Sequence, residues 1–403
     1  MTTPMAGPAA AASPGQLAHL AALETAQNPA SPATPSRQAG PRVDARRAVV
    51  TYQALQRNLY LPGYSLYPCD NTCFSGNRLG TLWPFSNAFA ATGYLVGIRG
   101  VGRRFTGDID ARNRGLAAYY DPHETGPTGQ QQLPAYASIA EPPLGPGGPT
   151  FYDDNAWVAL DELYAYGLTR RTGDLRTAEG IFRFVVSGWD TSPATSCPGG
   201  VFWEDVAGSP RNTISNAPNA EAGLLIYLDT GQSYYLRWAR KMYDWVRGCL
   251  RNPDGMYYDH INPDGTINTA LWSYNQGTMI GAGALLYQAT GNRGYLRQAE
   301  QTASASVSYY GGDGNLYHQP EVFDAIFFRN LWYLAGITHN PAYRQMTASY
   351  AETAWRQDRQ ATGLFSDPDP SGGEDLVNQT APMVEIYALL AGSPPMIVSA
   401  RGR

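Results

Sequence analysis

The sequence predicts an all-α toroid, an (α/α)6 barrel of six helical hairpins. Three observations carry this. A turn-like punctuation recurs about every 60 residues, which is the signature of a repeated supersecondary unit. Helical patterns rich in Gly and Ala alternate with patterns that carry Arg and Lys. No strand-rich region interrupts them.

The punctuation is Leu168-Thr-Arg-Arg-Thr-Gly-Asp174, then Tyr227-Leu-Asp-Thr-Gly-Gln232, then Tyr287-Gln-Ala-Thr-Gly-Asn292, with Gly173, Gly231 and Gly291 as its markers. A degenerate copy, Ile337-Thr-His-Asn-Pro-Ala-Tyr343, follows. Glycine accepts the left-handed conformation that ends a helix, and Asp, Asn or Ser then caps the next one. Helical patterns run over roughly 43–58, 84–98, 108–120, 154–170, 175–189, 217–229, 233–250, 275–289, 293–309, 323–336, 341–357 and 377–391. Odd patterns such as Leu236-Arg-Trp-Ala-Arg-Lys241 face outward. Even ones such as Ile280-Gly-Ala-Gly-Ala-Leu-Leu286 are suited to close packing inside a ring. An open solenoid of the same period is the alternative. Closure is preferred because neither end of the array carries a polar capping face.

Residues 1–40 are rich in Ala, Pro, Ser and Thr and read as a disordered leader. Residues 41–395 form one expected domain, and 396–403 a flexible tail. No basic segment followed by an apolar one marks an export signal, which leaves a cytoplasmic location open. The net charge of -5 and the lack of a basic stripe argue against nucleic acid. No apolar run is long enough to span a bilayer. The four cysteines form no CxxC and the five histidines lie at no metal-ligand spacing beside them, so no metal and no cofactor are expected. Cys69 can bridge to Cys73 and Cys197 to Cys249, with free buried thiols as the alternative.

Each even pattern opens on a polar or aromatic cluster. These are Trp83-Pro-Phe-Ser-Asn87, Tyr152-Asp-Asp-Asn-Ala-Trp157, Ser215-Asn-Ala-Pro-Asn-Ala-Glu221, Trp272-Ser-Tyr-Asn-Gln276, Phe327-Phe-Arg-Asn330 and Asn378-Gln379. In a toroid the six inner N-termini open on one mouth, whose free amides and helix dipoles favour anions. With 27 Tyr and 9 Trp against 12 Phe, aromatics with a polar handle dominate, as sugar binding requires. Trp83, Asn87, Tyr152, Trp157, Asn216, Asn219, Trp272, Tyr274, Asn275, Gln276 and Arg329 are therefore expected to surround one cleft, with Trp157 a candidate for packing behind it.

Asp153 and Asp154 are adjacent in a region short of acids. A helix start needs one capping carboxylate, whereas glycosidic cleavage uses two. Like charges this close also separate their pKa values. Glu204, Asp205 and Glu221 are the other acids available.

These stretches resemble glycoside hydrolase family 76, the α-1,6-mannanases of bacteria and fungi. The resemblance rests on Tyr152-Asp-Asp-Asn-Ala-Trp157, Ile214-Ser-Asn216, Trp272-Ser-Tyr-Asn-Gln-Gly277, Phe327-Phe-Arg-Asn-Leu331 and the Thr-Gly-Asp type hairpin turns, and it covers roughly residues 45–392. It implies an (α/α)6 barrel and endo-acting, retaining hydrolysis of α-1,6-mannan or a lipomannan-type core. Asp153 would be the nucleophile and Asp154 the acid/base, in a monomer at the cell envelope or outside the cell. The loops Asp121–Thr150 and Ser192–Pro198 would set subsites. Two other readings remain: a hydrolase or lyase on uronic-acid glycans, using Arg329 and Arg211, and a non-catalytic glycan-binding toroid.

Overall fold

The computed structural model describes residues 40–69, 78–124, 133–206, 208–312, 315–366 and 375–397. The leader 1–39 and residues 398–403 lie outside the described residues. Among those described, twelve α-helices follow the expected order: α1 Pro41–Leu59, α2 Leu82–Gly97, α3 Thr106–Leu116, α4 Tyr152–Thr169, α5 Thr172–Ser187, α6 Thr213–Thr230, α7 Ser233–Cys249, α8 Ser273–Thr290, α9 Arg293–Gly311, α10 Glu321–Thr338, α11 Pro341–Gln357 and α12 Leu376–Leu390. Short strands sit only in the connections. β1 (Tyr120–Glu124) pairs antiparallel with β2 (Leu133–Tyr136). β3 (Arg211–Asn212), β4 (His260–Ile261) and β5 (Ile267–Asn268) form a small sheet.

Each even helix packs on the next, and α12 packs on α2, so the inner ring is closed; α1 lies against α12. The protein is an (α/α)6 barrel, and the open solenoid is excluded. Inner helices are buried almost all round, with 15 of the 18 residues of α6 shielded from solvent. Glycine makes this possible where the ring is tightest. A Cβ on Gly277 would lie 2.6 Å from the Phe327 Cα, and one on Gly281 would collide with Asn330 and Glu221.

The hairpin turns differ from expectation at one end. Gly231 and Gly291 do end their helices in the left-handed region, at φ 74° and 70°. In the first copy that position belongs to Arg170 (φ 61°), and Gly173 falls inside α5; in the fourth it belongs to His339 (φ 60°). The repeat is therefore in register at 170, 231, 291 and 339. A shared threonine makes the turn instead: Thr169, Thr230 and Thr290 each donate Oγ1–H to the carbonyl four residues back and accept an N–H two residues on.

Cys197 and Cys249 form a disulfide across 52 residues, tying the α5–α6 connection to the end of α7. Cys69 is also disulfide-bonded; Cys73, its expected partner, lies outside the described residues. Beneath the ring, Tyr94 and Tyr164 donate hydroxyl hydrogen bonds to the Pro395 and Pro394 carbonyls, and Ile397 packs where Gly167 leaves room. The ordered chain thus continues past residue 395.

Candidate active site

The first turn of α4 is set by the loop that follows α5. The Tyr152 N–H donates to the Trp203 carbonyl at 2.9 Å, and Phe151 forms a bridge with Glu204. The Tyr152 ring is buried against Phe184, 4.8 Å between centroids, and its hydroxyl donates to Asp205 at 2.8 Å. Gly188 makes space for that ring, since a Cβ there would sit 2.3 Å from it. With Phe151 as N-cap, Asp153 and Asp154 occupy the second and third positions of the helix. There the free amides and the helix dipole favour negative charge.

The two carboxyls have unequal surroundings. The Trp203 indole Nε1–H donates to Asp153 Oδ2 at 3.2 Å, and the Asp154 backbone N–H donates to Asp153 Oδ1 at 3.1 Å. No donor among the described residues reaches the Asp154 carboxyl. Burial pushes Asp153 up to about 7; its hydrogen bonds oppose this, and the charge of Asp259 adds to it. The favour that the helix N-terminus shows to anions is thus outweighed at Asp153 by desolvation. Asp154 is held well above the carboxylate range, by burial first and by the charge of Asp153 second.

Asp259 was not a sequence candidate. It stands beside β4, accepts from Asn275 Nδ2 at 3.0 Å, and meets His260 Nδ1 at 2.8 Å. Its charge and that of Asp153 both raise the Tyr274 hydroxyl, after burial, so the three share one side of the mouth. Trp203 was missed too. Both residues sit in irregular connections, where no periodicity singles them out.

Aromatic and aliphatic residues from five inner helices or their leading edges form a floor beside the pair. Trp157, Ile214, Val322, Phe323 and Ile326 are buried together, with half-buried Trp83, Trp272 and Tyr274 packed over them. Trp83 lies 5.6 Å from Trp157, Trp272 lies 5.6 Å from Phe323, and Tyr274 stacks on Phe323 at 3.8 Å. Of the expected ligand-binding residues, Trp83, Trp272 and Tyr274 keep partly open rings. Trp157 is packing behind them.

The amides of the mouth clusters largely face inward. Asn216 both accepts from the Val201 N–H (2.9 Å) and donates to its carbonyl (3.3 Å), and Gln276 does the same to Tyr257 at 2.8 Å each. Asn155 clamps Tyr136 in the same way, and Thr380 clamps Phe365. These first-turn side chains imitate a strand partner for the preceding loop. Asn219 donates to the Tyr152 and Ser215 carbonyls, Asn275 to Asp259, and Asn87 to the Trp83 carbonyl and Asn378. Asn216, Asn219, Asn275, Gln276, Asn87 and Tyr152, expected as glycan contacts, are each buried, and their donors already have protein partners. Arg329 lies under the floor, with its guanidinium 5.3 Å from the Trp157 ring and 3.8 Å from Glu385.

The family model for glycosyl hydrolase family 76 matches residues 143–383, more than half of the chain. The chain belongs to glycosyl hydrolase family 76. A curated relative, mannan endo-1,6-alpha-mannosidase DCW1 of Saccharomyces cerevisiae, is 29% identical over 153 residues, 36% of this chain and 33% of that one. The match thus spans about a third of the relative's length. Among solved structures, the family 76 mannosidase Bt3792 of Bacteroides thetaiotaomicron superposes with a TM-score of 0.72 at 24% identity, covering 87% of this chain and 98% of that one. An inactive variant of the α-1,6-mannanase GH76A of Salegentibacter sp. HEL1_6, with two adjacent aspartates changed to asparagine, was solved with α-1,6-mannotriose. It superposes with a TM-score of 0.67 at 23% identity, covering 86% of this chain and 99% of that one.

In this family 76 barrel two of the remaining candidates, Arg211 and Asp205, have structural partners. Arg211 is buried and donates to the carbonyls of Ser196, Cys197 and Gly199 while facing Asp190 at 3.3 Å, which fixes the disulfide loop. Glu221 lies within the ring, lining a cavity of about 30 Å3 with Asp161 and Arg329 and closed by Pro395, Met396 and Ile397. Asp205 holds Tyr152.

Proposed function

We propose that this family 76 chain is an endo-acting, retaining α-1,6-mannanase, with Asp153 as nucleophile and Asp154 as acid/base. The observation that supports this division most is the unequal distribution of donors. Two hydrogen bonds stabilise the Asp153 anion, while Asp154 has none and lies in its neighbour's field. In the first step Asp153 attacks the anomeric carbon as its bond to the leaving O6 breaks, and Asp154 gives O6 its proton. In the second, water attacks the same carbon, Asp154 takes the water proton, and Asp153 departs. The floor of Trp83, Trp272 and Tyr274 offers ring faces to sugar C–H groups. The printed names of the fungal relatives and the mannotriose held by the Salegentibacter variant favour α-1,6-mannan as substrate.

The uronic-acid reading loses its support, because Arg211 and Arg329 both have buried partners and no other cation was a candidate for the mouth. A non-catalytic toroid would have no need of two adjacent carboxyls with unequal surroundings. The Cys197–Cys249 disulfide and the mannan named for the relatives favour a protein that works, as a monomer in this reading, at the envelope or outside the cell. Incubation with linear α-1,6-mannan tests the activity: internal cleavage should release oligosaccharides whose newly formed ends are first α by proton NMR. Products that begin as β, or an untouched polymer, would overturn it.

A further inference from the structure

Among the described residues, α3 is the shortest α-helix of the barrel. That helix has 11 residues, whereas α5 next to it has 16. A groove of about 470 Å3 stays open here, between the α3 end, the β1–β2 hairpin and α5, and shares no residue with the carboxylate mouth. Its lining includes Asn113, Tyr120, Tyr136, Glu162, Asp174 and Thr177. The volume suits a small ligand.

Two features of the lining are unusual for plain surface. Tyr120 is 42% exposed, and its ring is tilted against that of buried Tyr136, 5.5 Å between centroids, so an aromatic side chain is available at the groove. Glu162 is only 3% exposed, yet its Oε2 has no hydrogen-bond partner among the described residues. Buried acceptors are rarely left unmet in folded proteins. Asn113 Oδ1 is likewise unmet, while its amide reaches Asp174 at 3.5 Å. No cation lines the groove, so nothing in it attracts an anion. An aromatic face beside several acceptors fits a ring that offers C–H groups on one side and hydroxyl donors at its edge. Burial raises Glu162 and Asp174, and the charge of Asp174 raises Glu162 further. A neutral carboxyl can both donate to and accept from a hydroxyl.

We propose that this groove is a second glycan-binding site, which holds one neutral pyranose unit of a mannan segment lying outside the catalytic cleft. The inference rests on the α-mannan reading above and adds to it a site that would keep the enzyme on its polymer between cuts.

Calorimetry with α-1,6-mannotetraose on the Asp153→Asn/Asp154→Asn protein tests it. Two sites per chain are expected. Tyr120→Ala, which removes the ring face, and Thr177→Trp, which fills the groove, should each reduce this to one. Placed in the active enzyme, either change should raise KM for mannan at least threefold and leave kcat/KM on an aryl mannoside unchanged. A single site that neither change affects, or two sites that both persist, would overturn the proposal. Tighter binding of glucosamine than of mannose in the groove would overturn its neutral-sugar assignment. A missing second site with mannan cleavage intact sinks the groove alone; a retained second site without cleavage sinks the proposed activity alone.

Discussion

The Trp203 indole donates to Asp153 Oδ2 at 3.2 Å, from a loop that also supplies the carbonyl on which α4 begins. One segment therefore both positions the carboxylate pair and biases its charge. A nucleophile must be ionised, so with Asp153 near 7 the acid limb of kcat/KM should lie around pH 7, with activity lost as pH falls through it. Trp203→Phe removes a donor that favours the anion. The limb should move up by about 1 unit, read from a pH profile on an aryl mannoside.

Asp259 acts in the opposite sense. Its charge raises Asp153, so Asp259→Asn should shift the same limb downward, whatever happens to the maximum rate. The Asn275 and His260 contacts can be kept by the amide. A limb that stays in place would show that the two carboxyls do not sense each other. A crystal structure of the variant would establish that the mouth is intact.

The division of labour within the pair predicts different losses. Asp153→Ala should abolish turnover of every substrate. Asp154→Asn should cost at least a thousandfold on mannan, yet far less on a dinitrophenyl mannoside, whose leaving group needs no proton. Comparing the two substrates decides it: equal losses on both would remove Asp154 from acid catalysis.

Asn216 should matter for stability more than for binding. Asn216→Ala strips the Val201 N–H and carbonyl of their buried partner. A loss of about 2–4 kcal/mol is expected in urea unfolding, with KM for mannan changed less than twofold in the folded fraction. A large KM effect at unchanged stability would restore Asn216 to the glycan-contacting set.

The ring was legible in the sequence because its determinants are local. Helical periodicity located twelve helices to within a few residues at most boundaries, and Gly-Ala runs such as 280–286 marked the inner set. The adjacent aspartates were legible as well, being an anomaly against the needs of capping. What the chain concealed was direction. Asn216 and Gln276 look in sequence like polar groups turned to a mouth, but the preceding loops have peptide groups that require partners, and those amides are the nearest supply. Nothing linear says, either, that Arg329 faces Trp157 and Glu385. Trp203 and Asp259 reach the site only through loop geometry.

The contact of α1 with α12 has a topological consequence. Arg47, in the second turn of α1, lies 5.8 Å from the ring of Tyr387 in the last turn of α12, so the two ends of the helical array meet at the face opposite the mouth. A circle of hairpins has no privileged first member. Linking Ile397 to Pro41 through a short flexible spacer and reopening the chain at the Gly231–Gln232 turn would give a circular permutant with the same ring and the same mouth. Deleting any one hairpin would instead leave a gap that neighbouring helices cannot bridge, so the barrel should tolerate relocation of its ends far better than shortening.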